Sequence, residues 1–258
     1  TRGCNFRCLH CQNCTISQVS PDDDLTDDRL VAPADIVRKA RALGCAGIAY
    51  TYTEPTMFFE YACDVARLAG EAGLKNMFVT NGYTTVEPLE AIHPYLDAAN
   101  IDLKFFREEA YREVCGARLQ PVLDTIRAYR RLGIWIELTT LVIPGLNDDE
   151  EQLRDMARFI ASLGSDVPWH VTAFYPSYKM QNRPPTRPAA LRLARRLGRE
   201  AGLNYVYTGN IADHEGTQTV CPDCGAVVIA RGVAGGATRY PEDGRCPDCR
   251  RDIEGIWY

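Results

Sequence analysis

Short apolar runs alternate with longer amphipathic stretches through most of this chain. The apolar runs have the length and composition of β-strands, and there are six of them: Gly47–Tyr50, Asn76–Thr80, Asn100–Phe105, Ile134–Ile143, Trp169–Phe174 and Tyr205–Thr208. Between the runs, apolar side chains recur at helical spacing, and stretches such as Leu123–Gly133 end in a glycine, a common helix stop. Strand–helix units that recur every ~25–35 residues predict an α/β fold with a parallel sheet.

Six such units predict a partial (βα)6-type barrel, whose chemistry belongs at the carboxyl ends of its strands. The pattern stops near Asp213, and the remaining segment is rich in Gly, Pro, Asp and Arg. A segment of that size needs a metal or another staple to fold. We therefore expect a barrel over residues 1–212 and a small separate segment over residues 213–258. Because the chain begins at Thr1, directly on a run of cysteines, we also expect that its N-terminal part is missing.

The charge balance limits the classes of partner. The net charge is −5 at pH 7, so no basic field favours nucleic acid or an anionic membrane, and we expect neither as a partner. No apolar stretch approaches the ~20 residues of a membrane helix, and no stretch has the pattern of a signal peptide. The acidic run Asp22–Asp28 is interpreted as a solvated loop.

Eleven cysteines are many for a chain of 258 residues. Most of them lie near the two ends in short Cys-x2-Cys or Cys-x3-Cys spacings, which favour metal binding over disulfides. The other three, Cys45, Cys63 and Cys115, are isolated in apolar or helical surroundings, and we expect them to be buried structural thiols.

The C-terminal segment carries two Cys-x2-Cys pairs, Cys221 with Cys224 and Cys246 with Cys249. Their separation is close to that of a four-thiolate zinc ribbon, and Gly225 suits the tight turn after the first pair. Zinc is the expected metal, with a rubredoxin-like iron or an auxiliary iron–sulfur cluster as alternatives. Closed four-ligand sites are structural, so we expect no catalysis there.

Four cysteines open the chain: Cys4, Cys8, Cys11 and Cys14. The last three have the spacing of a bacterial ferredoxin, but the position of the fourth ferredoxin cysteine holds Gln18. A zinc site made from all four would be cramped and would leave the barrel without a function. The remaining set is Cys4-x3-Cys8-x2-Cys11.

The stretch "GCNFRCLHC", which contains this set, resembles the signature of radical S-adenosylmethionine (SAM) enzymes. In that family three thiolates hold three irons of a [4Fe–4S] cluster, and the fourth iron is chelated by the amino and carboxylate groups of SAM. One electron then cleaves SAM and releases a 5′-deoxyadenosyl radical, which abstracts hydrogen. The resemblance implies that Cys4, Cys8 and Cys11 are the ligands and that Cys14 is a bystander.

Two further stretches resemble cofactor contacts of the same family. "YTYTEPT" resembles the segment that binds the SAM amino group, which implies roles for Thr53 and Glu54, although relatives more often have glycines before that Glu. The same residues also have the pattern of a helix N-terminus, with Pro55 in its first turn. In "VTNGY", Thr80 and Asn81 end a strand where they either face the cofactor or form a plain turn.

The later strands carry the remaining candidates. Asp102 and Lys104 fall on one strand face by the period of two. They resemble the "DLK" of glycyl-radical activating enzymes, in which the Lys pairs with the SAM carboxylate and the Asp helps to bind a cation. For this chain the resemblance implies a monovalent cation. Val142 and Ile143 in "LVIPGLND" resemble a turn that packs on adenine. His170 resembles a position near the ribose, although a lone strand histidine is more often structural.

The resemblance covers nearly the whole chain and is closest to AmmeMemoRadiSam-system radical SAM proteins, which are related to pyruvate formate-lyase activating enzymes. It implies an enzyme that uses a [4Fe–4S] cluster and SAM on a small molecule or a protein. A reductant such as flavodoxin or ferredoxin, and proteins of the same gene system, are the implied partners. An oxygen-sensitive cluster implies a reducing cytoplasm.

Two alternatives stay open. One is a glycyl-radical activase, which takes an α-hydrogen from a glycine of a partner enzyme. The other is a non-catalytic metal-binding module that docks a protein or a nucleic acid through its ribbon. The acidic charge and the SAM-like residues of the barrel count against this last alternative.

Overall fold

The computed structural model describes residues 1–20, 31–232, 237–239, 241 and 243–257, so the acidic run Asp22–Asp28 lies outside the described residues. The chain divides into two compact units. The first comprises Thr1–Leu103, Glu108–Ile136 and Ser177–Gln181, and the second comprises Lys104–Arg107, Glu137–Pro176 and Asn182–Tyr258. Six strands form one sheet in the order β1-β2-β3-β4-β5-β6, so the α/β prediction is confirmed.

Three parallel strands of this sheet belong to the first unit. They are β1 (Gly47–Tyr50), β2 (Lys75–Thr80) and β3 (Ala98–Asp102), with Tyr50 opposite Phe78 and Thr80 opposite Ile101. The helices of this unit are α1 (Cys14–Ser17), α2 (Pro33–Ala42), α3 (Phe59–Glu71), α4 (Val86–Ile92), α5 (Glu108–Ala110) and α6 (Leu119–Arg131). A 3-10 turn (Pro55–Phe58) precedes α3, and a π-helical turn (Tyr111–Cys115) follows α5.

The longest helices of this unit end where the glycine pattern predicts. Gly73 follows α3 with φ 77°, and Gly133 follows α6 with φ 78°. A residue with a Cβ would be strained in this left-handed conformation, which costs glycine little. One face of α6 is buried, including Val122, Ile126 and Tyr129, which accounts for its apolar spacing.

The second unit contains most of β4 (Trp135–Val142), then β5 (Trp169–Ala173) and β6 (Val206–Gly209), again parallel. Two helices cover them, α7 (Glu150–Leu163) and α8 (Pro188–Glu200). Trp169 is fully buried and donates its indole N–H to the Thr140 hydroxyl at 3.0 Å. Gly198 lets α8 approach this ring, since a Cβ there would lie 3.1 Å from it.

The C-terminal segment adds a small antiparallel sheet. Its strands are β7 (Thr219–Val220), β8 (Val227–Arg231) and β9 (Ala237–Arg239), after a 3-10 turn at Glu215–Thr217. Cys221, Val228, Cys246 and Ile253 are buried together with Tyr205, which directly precedes β6. The segment therefore packs on the start of the last parallel strand, and its core is small.

Two sequence predictions need correction. The run Asn100–Phe105 is a strand only as far as Asp102, so Lys104 lies beyond the strand. Two side chains of the second unit bind the backbone there: Asn147 donates to the Lys104 carbonyl at 2.8 Å, and Gln152 accepts from the Phe106 N–H at 2.9 Å. Cys45 is exposed rather than buried, because it lies in the turn between α2 and β1; Cys63 is half-buried and Cys115 is buried.

Within the residues that the structure describes, no helix has both the length and the apolar character needed to span a membrane.

Candidate active site and metal centre

The cysteine loop is fastened to the first unit through its backbone. The Arg7 N–H donates to the Cys115 carbonyl at 2.8 Å, and the Leu9 N–H donates to the Val114 carbonyl at 2.9 Å. At the start of the loop, the Gly3 N–H donates to the Ile16 carbonyl at 2.9 Å. The loop is therefore closed on itself at Gly3 and Ile16, and its middle is tied to the Val114–Cys115 backbone.

Side chains inside the loop keep it in this shape. Phe6 is buried and packs edge-on against Tyr83 and Tyr111, with ring centroids 5.3 and 6.3 Å away. The Gln18 amide donates to the Phe6 carbonyl at 3.3 Å and to the Ser17 hydroxyl at 3.1 Å. The residue that stands where a ferredoxin needs a cysteine is thus a brace for the loop.

The three predicted ligands differ in exposure and partners. Cys8 is buried, whereas Cys4 and Cys11 are half-buried. The Cys11 N–H closes a turn onto the Cys8 carbonyl at 3.2 Å, and the Cys11 Sγ lies 3.0 Å from the Ser17 Oγ. The Cys4 Sγ accepts the Phe6 N–H at 3.4 Å.

Cys4, Cys8 and Cys11 do not belong to a group of ligand atoms close enough to hold one metal ion. In the described part of the chain, the only group of three or more ligand atoms close enough to hold one metal ion lies in the C-terminal segment. Ligands of a [4Fe–4S] cluster bind different irons, so their sulfurs need not converge on one point. Hydrogen-bonded thiolate sulfur, as at Cys4, is the environment such clusters use. Cys14 begins α1 and is half-buried, and its bystander role stays a prediction.

Glu54 is the most deeply buried carboxylate of the site, with 1% of its surface exposed. Its Oε1 accepts the Thr56 N–H at 3.1 Å, the Thr56 hydroxyl at 2.9 Å and the Thr80 hydroxyl at 2.7 Å. Its Oε2 accepts the Asn81 N–H at 2.8 Å. Burial raises the pKa of the Glu54 carboxyl, and the hydrogen bonds from Asn81, Thr80 and Thr56 offset part of that rise.

The helix-start interpretation of this stretch is correct. Glu54 caps the 3-10 turn that begins at Pro55, because its side chain accepts the Thr56 N–H. Just before it, Tyr52 has φ 73° and leaves 71% of its surface exposed. That conformation costs a side-chain-bearing residue roughly 1–2 kcal/mol. The Thr53 hydroxyl lies 3.3 Å from that of Thr1.

The end of β2 forms a turn and also joins the cysteine loop. The Thr80 hydroxyl accepts the Gly82 N–H at 3.0 Å, and the Asn81 Oδ1 accepts the Tyr83 N–H at 2.9 Å. The Asn81 Nδ2 donates to the Asn5 Oδ1 at 2.7 Å and to the Cys4 Sγ at 3.6 Å. Cys4, Glu54, Thr80 and Asn81 are therefore one connected group in the first unit. Asn5 is a member that sequence reasoning missed.

Asp102 ends β3 and is half-buried. In the second unit, Lys104 is half-buried, and the side chains of Val142 and Ile143 are fully buried. The Ile143 N–H is bound by the Asn147 Oδ1 at 2.5 Å, so Asn147 holds this turn. Sequence reasoning missed Asn147, although "GLND" has the composition of a turn.

His170 has a partner that sequence reasoning also missed. Its Nε2 lies 2.6 Å from the Glu137 Oε2, on the neighbouring strand, and its ring stacks on Tyr207 with centroids 5.1 Å apart. Pairing the Glu137 carboxylate with the His170 imidazole requires the register of β4 against β5, which the sequence does not give.

The C-terminal cysteines form a compact metal centre. The four Sγ atoms of Cys221, Cys224, Cys246 and Cys249 all lie within 4.8 Å of one another. The distance is 3.6 Å from Cys221 to Cys249 and 3.5 Å from Cys224 to Cys246. A tetrahedral ion with sulfur at ~2.3 Å separates its ligands by ~3.8 Å, so the group fits a single zinc or iron.

Both cysteine pairs use the same turn. The Gly225 N–H donates to the Cys221 carbonyl at 3.0 Å, and the Arg250 N–H donates to the Cys246 carbonyl at the same distance. Gly225 has φ 77° and Arg250 has φ 64°. In the second turn, backbone hydrogen bonds from Cys249 and Asp248 lower the pKa of the Cys246 thiol. This favours the thiolate form, which metals bind, at Cys246, whereas desolvation and hydrogen bonds to the neighbouring thiols raise the pKa of Cys224 and Cys249.

Comparisons with known proteins show the family of the chain. The sequence model of the radical SAM superfamily matches residues 1–160. An uncharacterized protein of Methanocaldococcus jannaschii is 46% identical over 230 residues, which are 89% of this chain and 68% of that protein.

Two pyruvate formate-lyase activating enzymes are also similar. The one from Clostridium pasteurianum is 22% identical over 162 residues, which are 63% of this chain and 68% of that enzyme. The crystal structure of a domain of the Bacteroides vulgatus enzyme superposes with a TM-score of 0.57 at 18% identity, over 64% of this chain and 99% of that domain. The structural match supports the fold.

Proposed function

The chain belongs to the radical SAM superfamily, and on that premise we propose that Cys4, Cys8 and Cys11 hold the [4Fe–4S] cluster of the enzyme. The observation that carries the proposal is the pinned loop, in which the Cys4 sulfur already accepts a backbone N–H and none of the three thiols is blocked by a disulfide. When bound, the cluster supplies one electron that breaks a C–S bond of SAM, giving methionine and the 5′-deoxyadenosyl radical that abstracts hydrogen from a substrate.

Glu54 is proposed to receive the SAM amino group. Its Oε1 has three donors, whereas its Oε2 has one, so Oε2 keeps capacity for a further hydrogen bond. A cationic amino group beside it would favour the ionised carboxylate that burial disfavours. Thr80 and Asn81 hold Glu54 in place, and Thr53 precedes it as a second candidate contact.

The other predicted contacts stay proposals for each residue. Asp102 is proposed for a monovalent cation and Lys104 for the SAM carboxylate. Because the side chains of Val142 and Ile143 are buried, any contact with adenine would use their backbone. His170, oriented by Glu137, is proposed to act near the ribose.

Serine substitutions test the cluster assignment. We expect Cys4→Ser, Cys8→Ser and Cys11→Ser each to lose the cluster and SAM cleavage, because three thiolates are needed. Cys14→Ser is the matched control and should keep both. The measurement is the iron and sulfide content of anaerobically reconstituted protein, together with 5′-deoxyadenosine release after reduction by dithionite. Loss of the cluster in Cys14→Ser, with retention in Cys4→Ser, would overturn the assignment.

A glycyl-radical activase is the second candidate function, and the similarity to pyruvate formate-lyase activating enzymes favours it. Such an enzyme removes an α-hydrogen from a glycine of its partner. The test is to mix the reduced enzyme and SAM with a glycyl-radical enzyme from the same genome and to look for a glycine-centred radical by electron paramagnetic resonance. Absence of that signal while SAM is cleaved would leave a small molecule or another protein as the substrate.

The remaining proposals concern metals, partners and location. Zinc is proposed at Cys221, Cys224, Cys246 and Cys249, where it would hold the small core of the segment together. Radical SAM enzymes need a reductant, and flavodoxin or ferredoxin is proposed for that role, with proteins of the same gene system as further partners. A reducing cytoplasm is the proposed location.

A further inference from the structure

The Asn81 side-chain amide lies at the predicted cluster ligand Cys4. We infer that this amide, together with the Phe6 backbone N–H, raises the reduction potential of the cluster by hydrogen bonding to the Cys4 sulfur. The inference rests on the proposed function, because it takes Cys4 as a cluster ligand. Asn81 is then a positioning and tuning residue for the electron transfer that precedes SAM cleavage.

The orientation of the Asn81 amide is set by its partners. In a side-chain amide only the oxygen accepts a hydrogen bond. The Tyr83 N–H, 2.9 Å away, therefore identifies the oxygen end of the Asn81 amide. The NH₂ end then has two hydrogens, one for the Asn5 Oδ1 at 2.7 Å and one for the Cys4 Sγ at 3.6 Å. A flipped amide would set a donor against the Tyr83 N–H and an oxygen against the Asn5 Oδ1.

The surroundings prevent the amide from turning away. Asn81 is 5% exposed, and its backbone N–H is held by the Glu54 carboxylate at 2.8 Å. Asn5 is itself anchored, since its Nδ2 donates to the Tyr83 carbonyl at 2.8 Å. The N–H directed at Cys4 is therefore already in place before any cofactor binds.

The sign of the effect follows from charge. Reduction adds one electron to the cluster and its thiolates, and an N–H dipole aimed at a ligating sulfur stabilises the more negative state. Limited exposure to water leaves this dipole poorly screened. Removing the donor therefore makes the cluster harder to reduce.

Two substitutions separate the sulfur contact from the turn. Asn81→Leu removes both the donor and the acceptor of the amide. Asn81→Ser keeps a short side-chain oxygen for the Tyr83 N–H, adds no charge and has no amide to direct at the Cys4 sulfur. Thr125→Val is the matched control. The Thr125 hydroxyl donates to the Thr84 carbonyl at 3.0 Å, in the same segment after β2 that contains Asn81, without contacting a sulfur.

The measurement is an anaerobic redox titration of the reconstituted full chain, followed by electron paramagnetic resonance without SAM. At a fixed potential we expect both Asn81 variants to hold less reduced cluster than wild type. The change in the equilibrium constant should be up to about tenfold, which is about 59 mV for one electron. Thr125→Val should leave the potential unchanged.

The possible failures are distinguishable. An unchanged potential in both Asn81 variants, with Cys4→Ser devoid of cluster, would overturn the inference and leave the proposed function intact. A cluster retained by Cys4→Ser would overturn both. If Asn81→Leu does not assemble a cluster, the uncharged Asn81→Ser decides. A shift in Thr125→Val equal to that of the Asn81 variants would show a loop effect and would contradict the inference.

Discussion

At the scale of single residues, Glu54 is the centre of a hydrogen-bonded group, since its carboxylate accepts from Thr56, Thr80 and Asn81. The cysteine spacing and the Glu54 stretch were visible as patterns, and the structure joins Cys4, Glu54, Thr80 and Asn81 through hydrogen bonds. The partners that hold them were not predictable, because Asn5 is far from Asn81 in sequence. For the same reason, the pairing of His170 with Glu137 depends on strand register rather than on a local motif.

Glu54 gives a prediction at this scale. In the wild type, four hydrogen-bond donors face the Glu54 carboxylate. Glu54→Gln replaces one carboxylate oxygen with an NH₂ group that faces donors, so we expect a loss of about 1–3 kcal/mol in the free energy of unfolding. Urea denaturation of the cluster-free protein at pH 7, under reducing conditions, measures it. A variant as stable as wild type would contradict the four-donor arrangement.

The pH dependence of that difference has a definite sign. Burial raises the pKa of Glu54 above its ordinary value of 4.5, so the folded state holds this proton more tightly than the unfolded chain does. The contribution of the protonated Glu54 carboxyl to the free energy of unfolding is fully present below pH 4.5. It is lost as the pH rises through the raised pKa. The stability advantage of wild type over Glu54→Gln should therefore shrink as pH increases above 4.5. An advantage that grows with pH would contradict the burial effect.

At the scale of elements, periodicity placed the strands well and their ends less well. β1 begins and ends as predicted, because its apolar run is bounded by a loop on each side. β3 ends at Asp102 although the alternation of half-buried and buried side chains continues to Phe105. Backbone groups just beyond its end bind Asn147 and Gln152, which no local pattern connects with this segment.

Two helix glycines provide a matched pair of substitutions. In Gly198→Ala the new Cβ would lie 2.8 Å from the Val206 Cγ2 and 3.1 Å from the Trp169 ring. We expect overpacking to cost about 1–3 kcal/mol. In Gly70→Ala nothing lies within 4 Å of the new Cβ, so higher helix propensity should stabilise the protein by up to ~1 kcal/mol. Thermal unfolding of both variants checks the opposite signs, and equal shifts would contradict the packing of α8 on β5 and β6.

Metal removal tests the C-terminal segment. Cys246 is part of its small core, and Trp257 packs over Gly244 and donates to the Ile253 carbonyl at 2.8 Å. We expect a zinc chelator or Cys246→Ser to unfold the segment and to change the fluorescence of Trp257. Trp257→Phe identifies the source of the signal, and Cys45→Ser, at an exposed thiol, should change nothing. An unchanged Trp257 signal after metal loss would show that the segment holds without a metal.

At the scale of the whole molecule, the repeat of strands and helices was enough to predict an α/β fold and a cysteine-rich segment. The superfamily follows from one short spacing together with a match over residues 1–160. The names of similar proteins span more than one class of substrate. GTP 3′,8-cyclases are similar to this chain at about the same level as glycyl-radical activating enzymes.

The most direct test of the central claim is electron paramagnetic resonance of the reconstituted, dithionite-reduced Cys14→Ser protein, recorded with and without SAM. Cys4, Cys8 and Cys11 as the ligands, with one iron open to SAM, predict a [4Fe–4S]⁺ signal whose g-values change when SAM is added. A signal that is identical in the two spectra, or no cluster at all in this variant, would contradict the claim.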